Sequence, residues 1–188
     1  MSLTAAPWGL MAAAHASGDV RQTVLADGIL SGYTSSLYQG SPVMMGTDGT
    51  IKAVTAANDP IYGIFAGCEF TQTDQMRRVL PWFPANQTYI AGSMLAKIVP
   101  IGPDPGGLLI GQSNGVVNLV DRGASINIAA GPTGSNFTGL SSQALGAPTG
   151  ATAGSFTIYD IVKQPDNDWG DPFVWLYVTI QNRQGPVA

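Results

Sequence analysis

From Phe173 to Ile180 the chain alternates two kinds of side chain, Phe173, Trp175, Tyr177 and Thr179 against Val174, Leu176, Val178 and Ile180. An extended strand places successive side chains on opposite faces, so this period of two predicts a β-strand. The aliphatic set suits a core. The aromatic set makes the other face too apolar for open water, so a second sheet, an arm or a neighbouring subunit has to cover it. Shorter stretches of the same character predict strands over 20–25, 43–45, 50–54, 61–65, 94–99, 108–110, 116–120, 125–128 and 155–162. Between them lie 24 glycines and 13 prolines in 188 residues, a content that disfavours long helices. Strands without intervening helices predict an all-β fold, a β-sandwich or barrel-like domain of short antiparallel strands.

Two turns carry hairpin chemistry. Thr47-Asp48-Gly49 and Ser113-Asn114-Gly115 place Asp-Gly and Asn-Gly where the chain needs positive φ, and both are expected to close hairpins. Residues 1–19 read differently: Ala-rich, with Trp8, Leu10 and Met11 among small residues and no charge before Asp19. They are expected to form an N-terminal arm that docks on the domain, residues 20–188, or on another chain; Pro7, Gly9 and Gly18 disfavour a long helix there. Gly123 to Tyr159 contains no charged residue and is rich in Gly, Ala, Ser and Thr. Short strands with tight loops are the favoured reading, an extended segment ordered by neighbours the other.

Charge narrows the classes of function. Net charge is −4 with only eight Lys and Arg, which argues against nucleic-acid binding, where a basic face must neutralise phosphates. Charged residues make up 11% of the chain against about 25% in an average soluble domain. So sparse a coat suggests that other protein covers much of the surface, as in an assembly. No apolar run reaches the roughly 18 residues of a membrane span, and the apolar stretch before Ala14-His15-Ala16 lacks the basic start of a signal peptide.

The chemical motifs are weak. Gly111-Gln112-Ser113-Asn114-Gly115 fits the G-x-S-x-G nucleophile elbow, but a strand rather than a helix is expected after it, and the one histidine, His15, lies upstream. Cys68 sits among apolar neighbours and reads as a buried small hydrophobe. Asp166-Asn167-Asp168-Trp169-Gly170-Asp171 resembles part of a calcium loop but has Asp171 where Gly is needed and Tyr177 where Glu is needed, so a polar turn is expected. Asp160 and Glu69, the single glutamate, are not placed together by anything in the sequence. Arg77-Arg78 is the one basic pair, either solvated or set against an acidic neighbour. Asn86-Gln87-Thr88 and Asn136-Phe137-Thr138 are formal glycosylation sequons without a supporting context. No catalytic, cofactor-binding or metal-binding residue is assigned, and no enzyme activity is expected.

Leu37-Tyr38-Gln39-Gly40-Ser41-Pro42-Val43, then Gly46-Thr47-Asp48-Gly49-Thr50-Ile51, then Ile61-Tyr62-Gly63-Ile64-Phe65-Ala66-Gly67-Cys68-Glu69-Phe70, preceded by Pro7-Trp8-Gly9-Leu10, together resemble the capsid-decorating (cement) proteins of tailed bacteriophages. The likeness runs loosely from Pro7 to Asn182 and rests on structural glycines and hydrophobics. It implies a β-rich protein on the outer surface of the icosahedral head of a virion, bridging major capsid protein subunits, and itself homo-oligomeric, a trimer ahead of a dimer. Candidate capsid or subunit contacts are Trp8, Leu10, Met11, Arg77, Arg78, Phe173, Trp175 and Tyr177, since interface energy concentrates in aromatic, Met and Arg anchors. The alternatives are a phage tail, neck or head-fibre attachment module and a carbohydrate-binding β-sandwich.

Overall fold

A computed structural model describes residues 4–14, 22–56, 59–100, 107–129, 131, 133–150 and 154–184. The strands are β1 (Met11–Ala14), β2 (Thr23–Ala26), β3 (Pro42–Met45), β4 (Ile51–Ala53), β5 (Gly63–Thr71), β6 (Arg77–Leu80), β7 (Leu95–Pro100), β8 (Leu108–Gln112), β9 (Ser125–Ile128), β10 (Leu145–Pro148), β11 (Phe156–Ile161) and β12 (Trp175–Ile180). They form two six-stranded antiparallel sheets, so the chain is all-β. The first sheet runs β1-β8-β12-β11-β9-β10. The second runs β2-β7-β5-β3-β4, with β6 beside β3 on β5.

The last strand begins at Trp175, two residues later than the period-two pattern predicts, while the alternation of burial holds from Phe173 to Ile180. Val174, Leu176, Val178 and Ile180 are buried, while Phe173, Trp175, Tyr177 and Thr179 are partly exposed. The aliphatic set joins Leu109, Ile126, Phe156 and Ile158 in one core cluster, which also takes in Ile64 from β5. The other face of the second sheet packs Phe65, Cys68 and Phe70 with Val43, Ala96 and Ile98 in another cluster. Phe65 and Cys68 share a face despite their odd spacing because the β5–β7 register shifts between Phe65 and Gly67. Gly67 has φ 130°, and a Cβ there would stand 2.9 Å from the Leu80 carbonyl oxygen, so this bulge requires glycine.

The Asp48-Gly49 hairpin forms between β3 and β4, with Gly49 at φ 77° and Asp48 Oδ1 accepting from Thr50 N at 3.1 Å. The Asn114-Gly115 hairpin does not. Both edges of β8 are already taken, by β1 and β12, so the chain after it has no hairpin position to occupy. Residues 116–120, expected as a strand, instead lead into a 3-10 turn at Leu119–Asp121, where Asp121 Oδ2 accepts from Asn118 N at 2.8 Å. Residues 123–159 contain β9, β10 and most of β11, in keeping with short strands and tight loops.

Candidate interaction surface

Residues 4–14 of the arm occupy a defined seat on the first sheet. Leu10 N donates to the Gly40 carbonyl at 2.8 Å, and this crossing is so close that a Cβ on Gly9 would lie 2.7 Å from Gly40 O. A Cβ on Gly40 would in turn lie 2.9 Å from Trp8 O, and both glycines have positive φ, 81° and 89°. Only glycine meets both demands, which explains the Trp-Gly-Leu and Tyr-Gln-Gly spellings. Leu10, 3% exposed, then enters the first core cluster over Gly111, where an added Cβ would meet Leu10 Cδ2 at 2.7 Å.

Ahead of Leu10 the backbone is held by a buried amide. Gln112 Oε1 accepts from Ala6 N at 2.8 Å, and Gln112 Nε2 donates to Thr4 O at 3.1 Å. Trp8 lies against Trp175 with ring centroids 4.8 Å apart, so the arm supplies cover for the aromatic face of β12. The register Met11↔Ile110↔Tyr177 continues that face across three strands.

Beside the arm an open groove of about 440 Å³ runs between Trp8–Ala12 and the β5 segment Ile64–Ala66, with Val99, Gln39 and Leu140 on its walls. Among the described residues none of its lining side chains is charged. Trp8, Met11 and Leu140 on its rim are 44%, 42% and 38% exposed. Leu140 belongs to a loop stitched to the Tyr38-Gln39 segment: Gln39 N donates to Gly139 O, Ser141 N to Gln39 O, each at 2.9 Å, and Tyr38 Oη donates to Asn136 Oδ1 at 2.7 Å. At the tip of this loop Phe137 is 96% exposed, while Ser135 Oγ accepts from the backbone N–H groups of Phe137 and Thr138. In the sequence this phenylalanine stands out only as the middle residue of the Asn136-Phe137-Thr138 sequon. An aromatic residue between Asn and Thr in an uncharged loop was the available signal.

Of the residues singled out from the sequence, Trp8, Leu10, Met11, Trp175 and Tyr177 are brought onto one end of the first sheet, with Phe173 partly exposed just before β12. Leu10 is a core residue there, because its side chain is enclosed by the chain's own sheet, and it offers no surface for a partner. Arg77 and Arg78 stand apart on β6. They occupy successive strand positions and so point to opposite faces; Arg77 pairs with Glu69, and Arg78 Nε donates to Gln72 Oε1 at 2.8 Å.

The remaining motifs resolve as structure. Ser113 is buried; its hydroxyl donates to Gly115 O at 2.8 Å and accepts from Val174 N at 3.0 Å. Burial pushes the Cys68 thiol up to about 12. In the 166–171 turn Asp171 Oδ2 accepts from Asp168 N, and buried Asn167 ties the turn to Val162 O and to the backbone of Trp175. Among the described residues no group of three or more His, Cys, Asp or Glu could hold a metal ion. Glu69 and Asp160 close separate ion pairs, with Arg77 and Arg122. His15 lies outside the described residues. No protein-family model, curated protein or solved structure matches this chain.

Proposed function

We propose that this chain is a capsid decoration protein, a β-sandwich that binds the outer surface of a tailed-phage head and bridges major capsid protein subunits as a homo-oligomer. The observation that carries the proposal is a groove rimmed by Trp8, Met11 and Leu140 and uncharged among the described residues, with the exposed Phe137 on the same loop as Leu140. Monomers seldom leave aromatic and Met side chains open together unless a partner covers them, and interface hot spots favour such side chains. The hydrogen bonds that Ser135 Oγ accepts at the tip of the Phe137 loop hold the anchor ready, which lowers the ordering cost of binding. Packing of Ile64, Met44 and Val99 from the second sheet into the cluster of the first supports the sandwich. The cement-like sequence spellings point the same way: Trp8-Gly9-Leu10 and Tyr38-Gln39-Gly40 meet at the arm crossing.

Weak contacts suffice in this role. Linking copies raises apparent affinity by about 10²–10⁴ when their spacing matches the lattice. The test is co-sedimentation with undecorated heads of tailed phages. Binding that saturates in proportion to the number of capsid subunits, and that falls for Phe137→Ala and Leu140→Ala while far-UV circular dichroism is unchanged, is the expected result. Saturation at one vertex or tail complement, or equal retention of both variants, overturns it.

A further inference from the structure

The Asn114-Gly115 pair, expected from the sequence to close a hairpin, is left without that role because both edges of β8 are taken. The chain on either side of it is held: Asn114 N donates to Leu145 O at 2.8 Å, and Ser113 Oγ donates to Gly115 O at 2.8 Å. The groups between these two bonds are not. Among the described residues neither the Asn114 carboxamide nor the Gly115 N–H makes a hydrogen bond. Asn114 is exposed, and a Cβ on Gly115 would meet only Ala147 Cβ, at 4.0 Å. No other asparagine of the chain precedes glycine.

We infer that Asn114 is a site of spontaneous deamidation, at which the folded protein turns its Asn-Gly link into an isoaspartyl or aspartyl one as it ages. The Gly115 amide nitrogen gives up its proton to hydroxide and attacks Asn114 Cγ. The N–Cγ bond forms, the Cγ–Nδ2 bond breaks, and Nδ2 leaves as ammonia with a proton drawn from water. Water then opens the succinimide ring at either carbonyl, so amide and water become acid and ammonia and nothing is oxidised or reduced. No acceptor holds the attacking N–H, and glycine sets no side chain against the closing ring. The two Asp-Gly pairs, which could close the same ring, are restrained. Gly49 N donates to Gly46 O at 3.1 Å while Asp48 Oδ1 accepts from Thr50 N at 3.1 Å. Asp27 Oδ1 accepts from Gly92 N at 3.1 Å, and Gly28 is hemmed in, an added Cβ standing 2.8 Å from both Ala96 Cβ and Leu25 Cβ. Isoaspartate carries the main chain through Cγ and so inserts a methylene ahead of the Gly115 nitrogen. The bond from Ser113 Oγ to Gly115 O spans that insertion, and the same hydroxyl accepts from Val174 N at 3.0 Å. Ageing therefore loosens the place where the chain leaves β8 beside the entry to β12, and adds a negative charge next to the exposed Val116.

The experiment is incubation of the full chain at physiological temperature, folded and in urea, at mildly acidic and mildly alkaline pH, followed by peptide mass mapping and isoaspartate-specific methyltransferase labelling. The expected result is isoaspartate at residue 114 of the folded protein, formed faster at the higher pH, with Asp27-Gly28 and Asp48-Gly49 unchanged. Gly115→Ala is expected to lose the product and keep its circular dichroism spectrum, since the new Cβ has room. Asn114→Gln, whose longer side chain closes a ring far more slowly, should lose it too, and both variants should lack the more acidic form that anion exchange resolves in the aged protein. Product confined to the urea-unfolded chain, isoaspartate at the Asp-Gly pairs at the same rate, or an undiminished rate in Gly115→Ala overturns the proposal.

Discussion

Replacing Leu10 by Ala and Gly111 by Ala, singly and together, measures whether the arm is part of the cooperative fold. Leu10 is 3% exposed, so its truncation opens a cavity over β8 and is expected to cost about 2–5 kcal/mol. Gly111→Ala puts a Cβ 2.7 Å from Leu10 Cδ2 and 3.1 Å from Leu145 Cδ1, an overpacking expected to cost about 1–3 kcal/mol. In the Leu10→Ala background the nearer atom is gone and the Leu145 side chain has room to turn. A strand glycine is itself about 0.5–1 kcal/mol worse than Ala, so Gly111→Ala is then expected to be neutral or mildly stabilising. The double variant should therefore fall short of the summed single costs by about 1–3 kcal/mol. Urea denaturation followed by tryptophan fluorescence reads these values from shifts in midpoint at constant slope. If Leu10→Ala costs less than about 1 kcal/mol, or the two costs simply add, the arm lies on the domain without belonging to its core.

Two further outcomes concern titration. The Asp48 carboxyl is lowered to about 2, first by its hydrogen bond from the Thr50 hydroxyl, then by Lys52. Its contribution is present above the ordinary value of 3.8 and lost as pH falls through 2; NMR should show Thr50→Val moving the Asp48 midpoint upward, and an unmoved midpoint rejects that cause. The Cys68 thiol, raised by burial to about 12, contributes fully below 9.0 and loses its contribution as pH rises toward 12. At neutral pH a thiol reagent should label Cys68 only as fast as the protein unfolds; labelling of the native protein at the rate of a free thiol contradicts that burial.

Legibility in the sequence followed the number of faces a strand buries. β12 could be read residue by residue because its two faces differ in chemistry, and β3, β7 and β9 carry enough apolar side chains to declare themselves. β1, β6 and β10 were not legible. Met-Ala-Ala-Ala has low strand propensity, Arg77-Arg78-Val79-Leu80 is largely exposed at an edge, and Leu145–Pro148 contains both Gly and Pro; in each the neighbouring strand decides. Val116–Val120 misled in the opposite sense, for its valine-rich run suited a strand that neither edge of β8 could accept. At the surface, Trp8 and Met11 were legible as apolar residues without a visible partner. The burial of Leu10 was not, because its socket is assembled from Gly111 and Leu145, far along the chain.

The position of β12 between β8 and β11 sets a timetable for synthesis. Of the six strands in the first sheet this one leaves the ribosome last, so that sheet cannot close before Trp175–Ile180 has been made. Trp8 and Leu10 are made well before their seats, which need Trp175, Leu145 and Gly111. The nascent chain therefore carries the uncharged segment Thr4–Ala14 unburied until then, the interval in which a holdase chaperone finds its target. The second sheet, complete by Pro100, is free to form while the first is still being made, and a chain cut short before Trp175 lacks the middle strand of the first sheet and leaves its arm unseated.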